Sequence, residues 1–257
     1  MRRRYAIAAA IALAVLAPAG SWVWAKTGRT LMNHADAQPA GRAQAAAARV
    51  RPALERDLAA QGLAFGAPVF MRVFKREAEL ELWVRAKDGA YKRFRTYPIC
   101  TYSGALGPKR RQGDNQAPEG FYRVALGQLN PTSQFHLSFN LGYPNAHDRA
   151  HGYTGDYLMV HGSCVSIGCY AMGDAAIEQI YTLAEAALRG GQRAFDVHAF
   201  PFRLDPAALA AERASPWHDF WSDLKAGYDA FERTHRPPTI GVAEKRYVVS
   251  ESQGTRQ

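Results

Sequence analysis

The sequence predicts an α+β fold, on three observations. Apolar residues alternate at period two over two neighbouring stretches, where Val69, Met71 and Val73 interleave with Phe70, Arg72 and Phe74, and Leu80, Leu82 and Val84 with Glu79, Glu81 and Arg85. Farther along, apolar positions fall at helical spacing after Asp174 and again after Ser215-Pro216. Between them, Gly104 to Asn145 carries many of the chain's Gly, Pro, Asn and Gln residues, the composition of long loops over a β scaffold. A chain of 257 residues, 47% hydrophobic and 21% charged, is large enough for one real core with modest appendages.

The elements follow in order. Arg2, Arg3 and Arg4 precede an uncharged stretch from Tyr5 to Ala25, the charged-then-apolar order of a secretory signal, so residues 1–25 are expected to be a signal peptide or an anchor. Val23-Trp24-Ala25 is an acceptable cleavage site, although the stretch is also nearly long enough to span a bilayer. Residues 26–50, rich in Ala, Gln and Arg, read as a linker passing into a weak helix, and Pro52, Leu54, Leu58 and Gly62 as a short helix over about Pro52–Gln61. The two alternating stretches read as half-buried strands, with Asp88-Gly89 turning the second back onto Tyr91–Tyr97 as a hairpin. Phe121–Val124 is a further short strand.

Asp174 is expected to cap a helix with Ile177, Ile180, Tyr181, Ala184, Ala187 and Leu188 on its buried face and Gly190-Gly191 at its end. A strand over Phe195–Phe200 completes the main domain, residues 51–204. Residues 205–249 read as a helical extension: Asp205-Pro206 opens a short helix and Ser215-Pro216 a longer one. The longer helix's stripe of Trp217, Phe220, Trp221, Leu224, Tyr228 and Phe231 reads as core rather than as a sugar-stacking platform. Pro237-Pro238 breaks that helix, and residues 250–257 form a polar tail expected to be disordered.

The formal charge of +9 suits an anionic partner. Nucleic acid is set aside, because no basic run interleaves with aromatics and the densest cluster is only Lys109, Arg110 and Arg111. Membrane contact is expected only through the N-terminal segment. An exported chain with three cysteines, Cys100, Cys164 and Cys169, keeps at least one of them out of any internal pair. A Cys100–Cys164 bridge would leave Cys169 reactive, whereas a Cys164–Cys169 bridge would mask it or make it redox-gated; spacing does not decide between them.

The segment from Leu158 to Tyr170 places His161 at the end of an apolar strand, then a turn through Gly162 and Ser163, then Cys169 ahead of a helix. A thiol needs a base or a positive helix end to become an attacking thiolate, and both stand nearby in the sequence. Backbone amides around Gly168, Cys169 and Tyr170 are candidates for an oxyanion hole. No histidine spacing suggests zinc, so no metal is expected.

His161-Gly162 followed by Ser166-Ile167-Gly168-Cys169 resembles the signature of the YkuD-type L,D-transpeptidases, and His161–Asp174 is similar to their YafK-like branch in detail. The resemblance covers roughly Gly62 to Leu204, through Phe74-Lys75, Leu80–Val84, Thr96–Cys100, Gln112–Asp114, Pro118–Tyr122 and Leu137–Asn145. It implies a β-sandwich-like catalytic domain with flanking helices, working in the bacterial envelope or periplasm without metal or organic cofactor. It also implies Cys169 as nucleophile, His161 as its base oriented by a carbonyl of Gly162 or Ser163, and Ser166 and Gly168 in the loop that shapes the oxyanion site. Ile167 and Ala171 depart from the broader family, which has a second histidine and often Arg or Asn at those positions.

The activity so implied is acyl transfer on diaminopimelate-containing peptidoglycan stem peptides, giving crosslinks or lipoprotein attachment. Hydrolysis that releases an envelope lipoprotein is the alternative. A wall-binding module without catalysis would have no use for the Cys169–His161 pair. Arg149, in the loop ahead of the His161 strand, is the expected holder of substrate carboxylates, with Tyr143, Asn145 and Tyr153 lining the same groove and Lys109, Arg110 and Arg111 as further basic candidates.

Overall fold

A computed structural model describes residues 39–250. The expected signal or anchor at 1–25, the first part of the expected linker and the tail beyond Ser250 lie outside the described residues. Two five-stranded sheets and five helices position the site. The first sheet comprises β1 (Val69–Phe74), β2 (Glu79–Arg85), β3 (Tyr91–Pro98), β5 (Gly120–Ala125) and β10 (Ala194–Phe200), in the order β3-β2-β1-β10-β5. The second comprises β4 (Thr101–Tyr102), β6 (Leu129–Asn130), β7 (Ser138–Asn140), β8 (Met159–His161) and β9 (Tyr170–Ala171), in the order β4-β9-β8-β7-β6. Pairing is antiparallel except between β1 and β10 and between β8 and β9. The helix α3 (Asp174–Arg189) contacts β1 and β10 of the first sheet and β7 and β8 of the second. The architecture is thus mixed α+β, a multi-strand core with flanking helices, as the sequence predicts.

The β1–β2 pair is buried on both faces, not half-buried. Val69, Met71, Val73, Leu80, Leu82 and Val84 join one core with α1 (Pro39–Ala60) and α3. The alternate residues Phe70 and Trp83 meet Phe231 on the opposite side, and Phe74 packs there with Phe200 and Tyr228. Arg72 and Glu81, whose charges mimic a solvated face in the sequence, are 2% and 0% exposed and form an ion pair at 2.7 Å that Arg203 and Arg93 extend. Such charges stay buried only when paired and hydrogen-bonded.

Three expectations change at the edges. Residues 39–50 are not linker: α1 runs unbroken from Pro39 to Ala60, with Pro52 inside it. Alanine is the strongest helix former, and Ala43, Ala46, Leu54 and Leu58 bury against the core, with Arg49 paired to Glu178 of α3. The Asp88-Gly89 turn and the Asp205 cap form as expected, the latter through Ala208 N–H donating to Asp205 Oδ1 at 2.8 Å. Residues 205–249 are not wholly helical. After α4 (Pro206–Ala211) and α5 (His218–Thr234), the strands β11 (Thr239–Ala243) and β12 (Arg246–Ser250) pair as a hairpin. Its Tyr247 packs edge-on to Phe121, and its Arg246 pairs with Asp223 of α5. Within the α5 stripe, Trp221, Leu224, Tyr228 and Phe231 are core, while Trp217 and Phe220 are half-buried at its edge.

Candidate active site

Strand β8 ends in His161, and the next residues turn too sharply for any side chain but hydrogen at Gly162. A Cβ there would lie 2.6 Å from Asp174 Oδ1 and 2.8 Å from the Phe135 carbonyl. Ser163 follows at φ 58°, its N–H donating to Asp174 Oδ1 at 2.7 Å while its carbonyl accepts from Gly173 N–H at 2.9 Å. Asp174 therefore anchors this turn instead of capping α3, whose cap position is Gly173. Cys164 is bonded to Cys100, whose N–H donates to the Ala171 carbonyl at 2.8 Å. Cys100 thus holds the Cys169 segment from both sides, covalently before it and by a hydrogen bond after it. Ser166 Oγ donates to the Cys169 carbonyl at 2.8 Å and accepts from Gly168 N–H at 3.2 Å. Gly168 adopts φ 134°, which a side chain resists, and so delivers Cys169 to the start of β9.

The register of the parallel β8–β9 pair, Val160 beside Tyr170 and His161 beside Ala171, brings Cys169 alongside Met159. Met159 N–H donates to Cys169 Sγ at 3.4 Å, and the thiol donates to the Tyr157 carbonyl at 3.7 Å. His161 is 2% exposed, with Nδ1 2.5 Å from the Gly162 carbonyl and its ring 4.8 Å from that of Phe135. A carbonyl only accepts, so Nδ1 carries the proton and Nε2 is left as the basic nitrogen. Burial holds the imidazole below its ordinary pKa, against the Gly162 contact, which raises it. Burial likewise pushes the Cys169 thiol up, against the Met159 N–H and the charge of Lys109, which lower it. Both shifts favour the neutral thiol and the neutral imidazole over a thiolate–imidazolium pair. The expected help from a helix end is missing, because β9 separates Cys169 from α3.

Cys169, the only unpaired cysteine of the three, and His161 line one cleft of about 600 Å³. Gln112, Asn115, Asn130 and Thr132 give it polar walls; exposed Phe135, Tyr157 and Ile167 form an apolar rim. A larger, shallow depression by Arg85, Lys87, Arg123 and Arg236 shares no residue with it.

The four residues expected to line the substrate groove do not line the Cys169 cleft. Arg149 is in the short helix α2 (Ala146–Ala150), bonds its guanidinium to the Pro144 carbonyl and does not line the cleft. Asn145 caps α2 and donates to Phe121 O and Tyr247 Oη, so its side chain is structural. Tyr143 is buried and donates to the Lys109 carbonyl at 3.1 Å, supporting the cleft from behind. Tyr153 packs on His151. These departures share a cause: nearness in sequence to His161 says nothing of which way α2 turns. Tyr170 is fully buried with its hydroxyl on the Pro118 carbonyl at 2.6 Å, so only its backbone is near the site. The Gly168 amide, bound to Ser166 Oγ, is not free to hold an oxyanion.

Of the basic triplet, Lys109 alone lines the cleft, at 3% exposure, paired to Asp114 at 2.5 Å. Asp114, five residues on in the sequence, was the available signal. Phe135 and the anchoring role of Asp174 carried none. Among the described residues no group of three or more His, Cys, Asp or Glu is placed to hold a metal ion, and no helix is long and apolar enough to cross a membrane.

Comparison with known proteins bears directly on this geometry. The model of the YkuD L,D-transpeptidase catalytic domain matches residues 73–193, which span both His161 and Cys169. YafK of Escherichia coli (strain K12), provisionally named an L,D-transpeptidase, is 50% identical over 185 residues, covering 72% of this chain and 75% of that protein. Its counterpart in Escherichia coli O157:H7 matches with the same figures. Among solved structures, the helical cell shape determining protein Pgp2 from Campylobacter jejuni is 17% identical, with a TM-score of 0.41 over 74% of this chain and 80% of that one, and nothing is carried over from it. On the family match and the identity to YafK, the chain belongs to the YkuD family of L,D-transpeptidases, whose catalytic domain acts on peptidoglycan.

Proposed function

We propose that this protein is an envelope acyltransferase that works through a Cys169 thioester on diaminopimelate-containing stem peptides. The observation that carries the reading is the shared cleft, lined by an unpaired thiol just ahead of β9 and by an imidazole at the end of the adjacent parallel strand β8 whose Nε2 is not the nitrogen bound to the Gly162 carbonyl. Sγ attacks the carbonyl at the L-centre of diaminopimelate as His161 Nε2 takes the thiol proton. The tetrahedral intermediate collapses, the C–N bond breaks, and the imidazolium returns its proton to the leaving amine. A second amine, or water, then cleaves the thioester with His161 as base. The Cys169 amide is the proposed oxyanion donor, since the Gly168 amide is engaged. The N-terminal segment would deliver the chain to the periplasm and supply its only membrane contact. No cofactor enters this chemistry.

One observation favours a lipoprotein-linked stem peptide over a second bare stem peptide, and so attachment or hydrolytic release of a lipoprotein over crosslinking. The exposed Tyr157, Ile167 and Phe135, at 70%, 82% and 42%, give the cleft an apolar rim suited to a protein segment attached to the stem peptide. The test is mass spectrometry of bare and lipoprotein-linked peptidoglycan fragments incubated with wild type and Cys169→Ala. New diaminopimelate–diaminopimelate crosslinks identify a transpeptidase, and released lipoprotein without crosslinks identifies a hydrolase. Identical products from both proteins would remove Cys169 from the mechanism and favour a wall-binding module.

A further inference from the structure

Lys109 is held at the Cys169 cleft by contacts to its stem, its carbonyl and its ammonium. Among the described residues it is the only Lys or Arg lining the Cys169 cleft, yet it is 3% exposed. Its stem runs beneath Gly155, where an added Cβ would lie 2.9 Å from Lys109 Cε, and Gly155 takes φ 137° to pass over it. Its carbonyl accepts from Tyr143 Oη at 3.1 Å. Its ammonium donates to the Arg111 carbonyl at 2.9 Å and to Asp114 Oδ1 at 2.5 Å. An ammonium has three hydrogens; two go to these oxygens, and beyond them Nζ meets only the Tyr143 ring, 6.0 Å to its centroid, among the described residues. Asp114 is itself fixed: it accepts from the backbone N–H groups of Arg110, Arg111 and Gln116. Although burial raises its carboxyl pKa, these contacts and Lys109 hold it at about 2. Lys109 is thus fixed in the cleft wall by an acid, Asp114, that does not itself line the cleft, and among the described residues Asp156 is the one acid in the lining.

We propose that Lys109 is the specificity-determining group of this cleft, receiving a free carboxylate of the peptide substrate on its remaining N–H. This rests on the proposed function and deepens it. Stem peptides offer two sources of that chemistry, the carboxylate of the diaminopimelate D-centre and the terminal carboxylate of the residue that leaves. Arg110, Arg111 and Arg149, the other candidates from the sequence, do not line the cleft.

The experiment uses peptides in which each carboxylate is replaced in turn by the carboxamide, with KM and kcat measured for wild type, Lys109→Met and Lys109→Arg. Losing one charge-assisted hydrogen bond raises the wild-type KM about 10- to 100-fold for the amidated source that Lys109 reads, with little change for the other. Lys109→Met binds the acid as weakly as wild type binds the amide, so the discrimination vanishes, while Lys109→Arg retains part of it. A merely structural ion pair would lower activity on acid and amide alike. Equal handling of every peptide by wild type overturns the proposal even if Lys109→Met does not fold, and so does full discrimination by a folded Lys109→Met. If wild type turns over none of the peptides, the acyl-transfer reading fails. Calorimetric binding of the same peptides to Cys169→Ala then decides the carboxylate site separately: the same 10- to 100-fold difference upholds it, and its absence overturns it.

Discussion

Substituting Glu119 by Gln removes the counter-charge of a fully buried lysine. Lys75 and Glu119 are both 0% exposed and 2.9 Å apart. Lys75 Nζ shares its three hydrogens among Glu119 and the carbonyls of Ala105, Gly107 and Ala117, and Glu119 accepts from Gly107 N–H and from Trp221 Nε1–H. The pair thus ties the end of β1 and the start of α5 to both ends of the loop that carries Lys109 and Gln112 to the cleft. Leaving one charge of such a pair buried costs about 3–5 kcal/mol. For a domain of this size that lowers Tm by about 6–20 °C. The pH dependence has a definite sign. Burial already holds Lys75 below its ordinary value, opposed by Glu119. Without Glu119 the folded-state value drops further below the unfolded one. Between those two values the unfolded chain binds more protons, so the variant gains stability as pH rises. Urea unfolding followed by tryptophan fluorescence, at neutral pH and again near the ordinary lysine pKa, measures both effects. A neutral-pH loss below about 1 kcal/mol, or a deficit that widens with pH, would refute the reasoning.

The preference for a neutral thiol and imidazole predicts that alkylation of Cys169 by iodoacetamide accelerates with pH through and beyond the ordinary thiol range, about 8.5, with no reactive plateau at acid pH; a plateau between pH 5 and 7 would reveal a pre-formed thiolate–imidazolium pair. Replacing both Cys100 and Cys164 by Ser opens a cross-link of sequence separation 64 and costs about 4 kcal/mol on the chain-entropy model, read by denaturant unfolding against wild type under non-reducing conditions. Gly162→Ala forces the His161 turn away from Asp174 and Phe135, and a displacement of about 1 Å at the base predicts a roughly 100-fold fall in kcat, whereas Gly113→Ala, which meets no atom within 4 Å, leaves kcat within a few-fold despite its positive φ.

The sequence made the long elements readable because their periodicity reflects burial. The face of α3 built from Ile177, Ile180, Tyr181, Ala184, Ala187 and Leu188 is buried as its spacing requires. The reading failed where burial and residue type part company. Arg72, Glu81 and Lys75 look like surface charges, and only the tertiary fold supplies the partners that permit them inside. The alanines of α1 give helix propensity without a pattern strong enough to mark its start. The β11–β12 turn at Glu244-Lys245 has two residues of positive φ and no Gly or Asn to announce it. At the site, the order of His161, Gly162 and Cys169 was visible because it is local. Lys109 and Phe135 reach the cleft from loops distant in sequence, and Arg149 is led away by α2.

A preference for the neutral thiol fits the covalent surroundings of Cys169. Its loop contains Cys164 of the Cys100–Cys164 disulfide, and a thiolate attacks disulfides whereas a thiol does not. A low-pKa cysteine in that segment would invite exchange with its own tether and oxidation in an oxidising compartment. Burial of Cys169 suppresses the thiolate, and the Met159 N–H and Lys109 oppose that suppression only in part. On the proposed mechanism reactivity is then conditional: the proton would leave Sγ for His161 Nε2 when a carbonyl is in place to receive the electron pair. The carbonyl of Gly162 contributes by fixing Nδ1 as the donor, which keeps Nε2 available without charging the ring. Selectivity for the bond that is broken therefore resides less in the nucleophile than in the groups that seat the substrate over it.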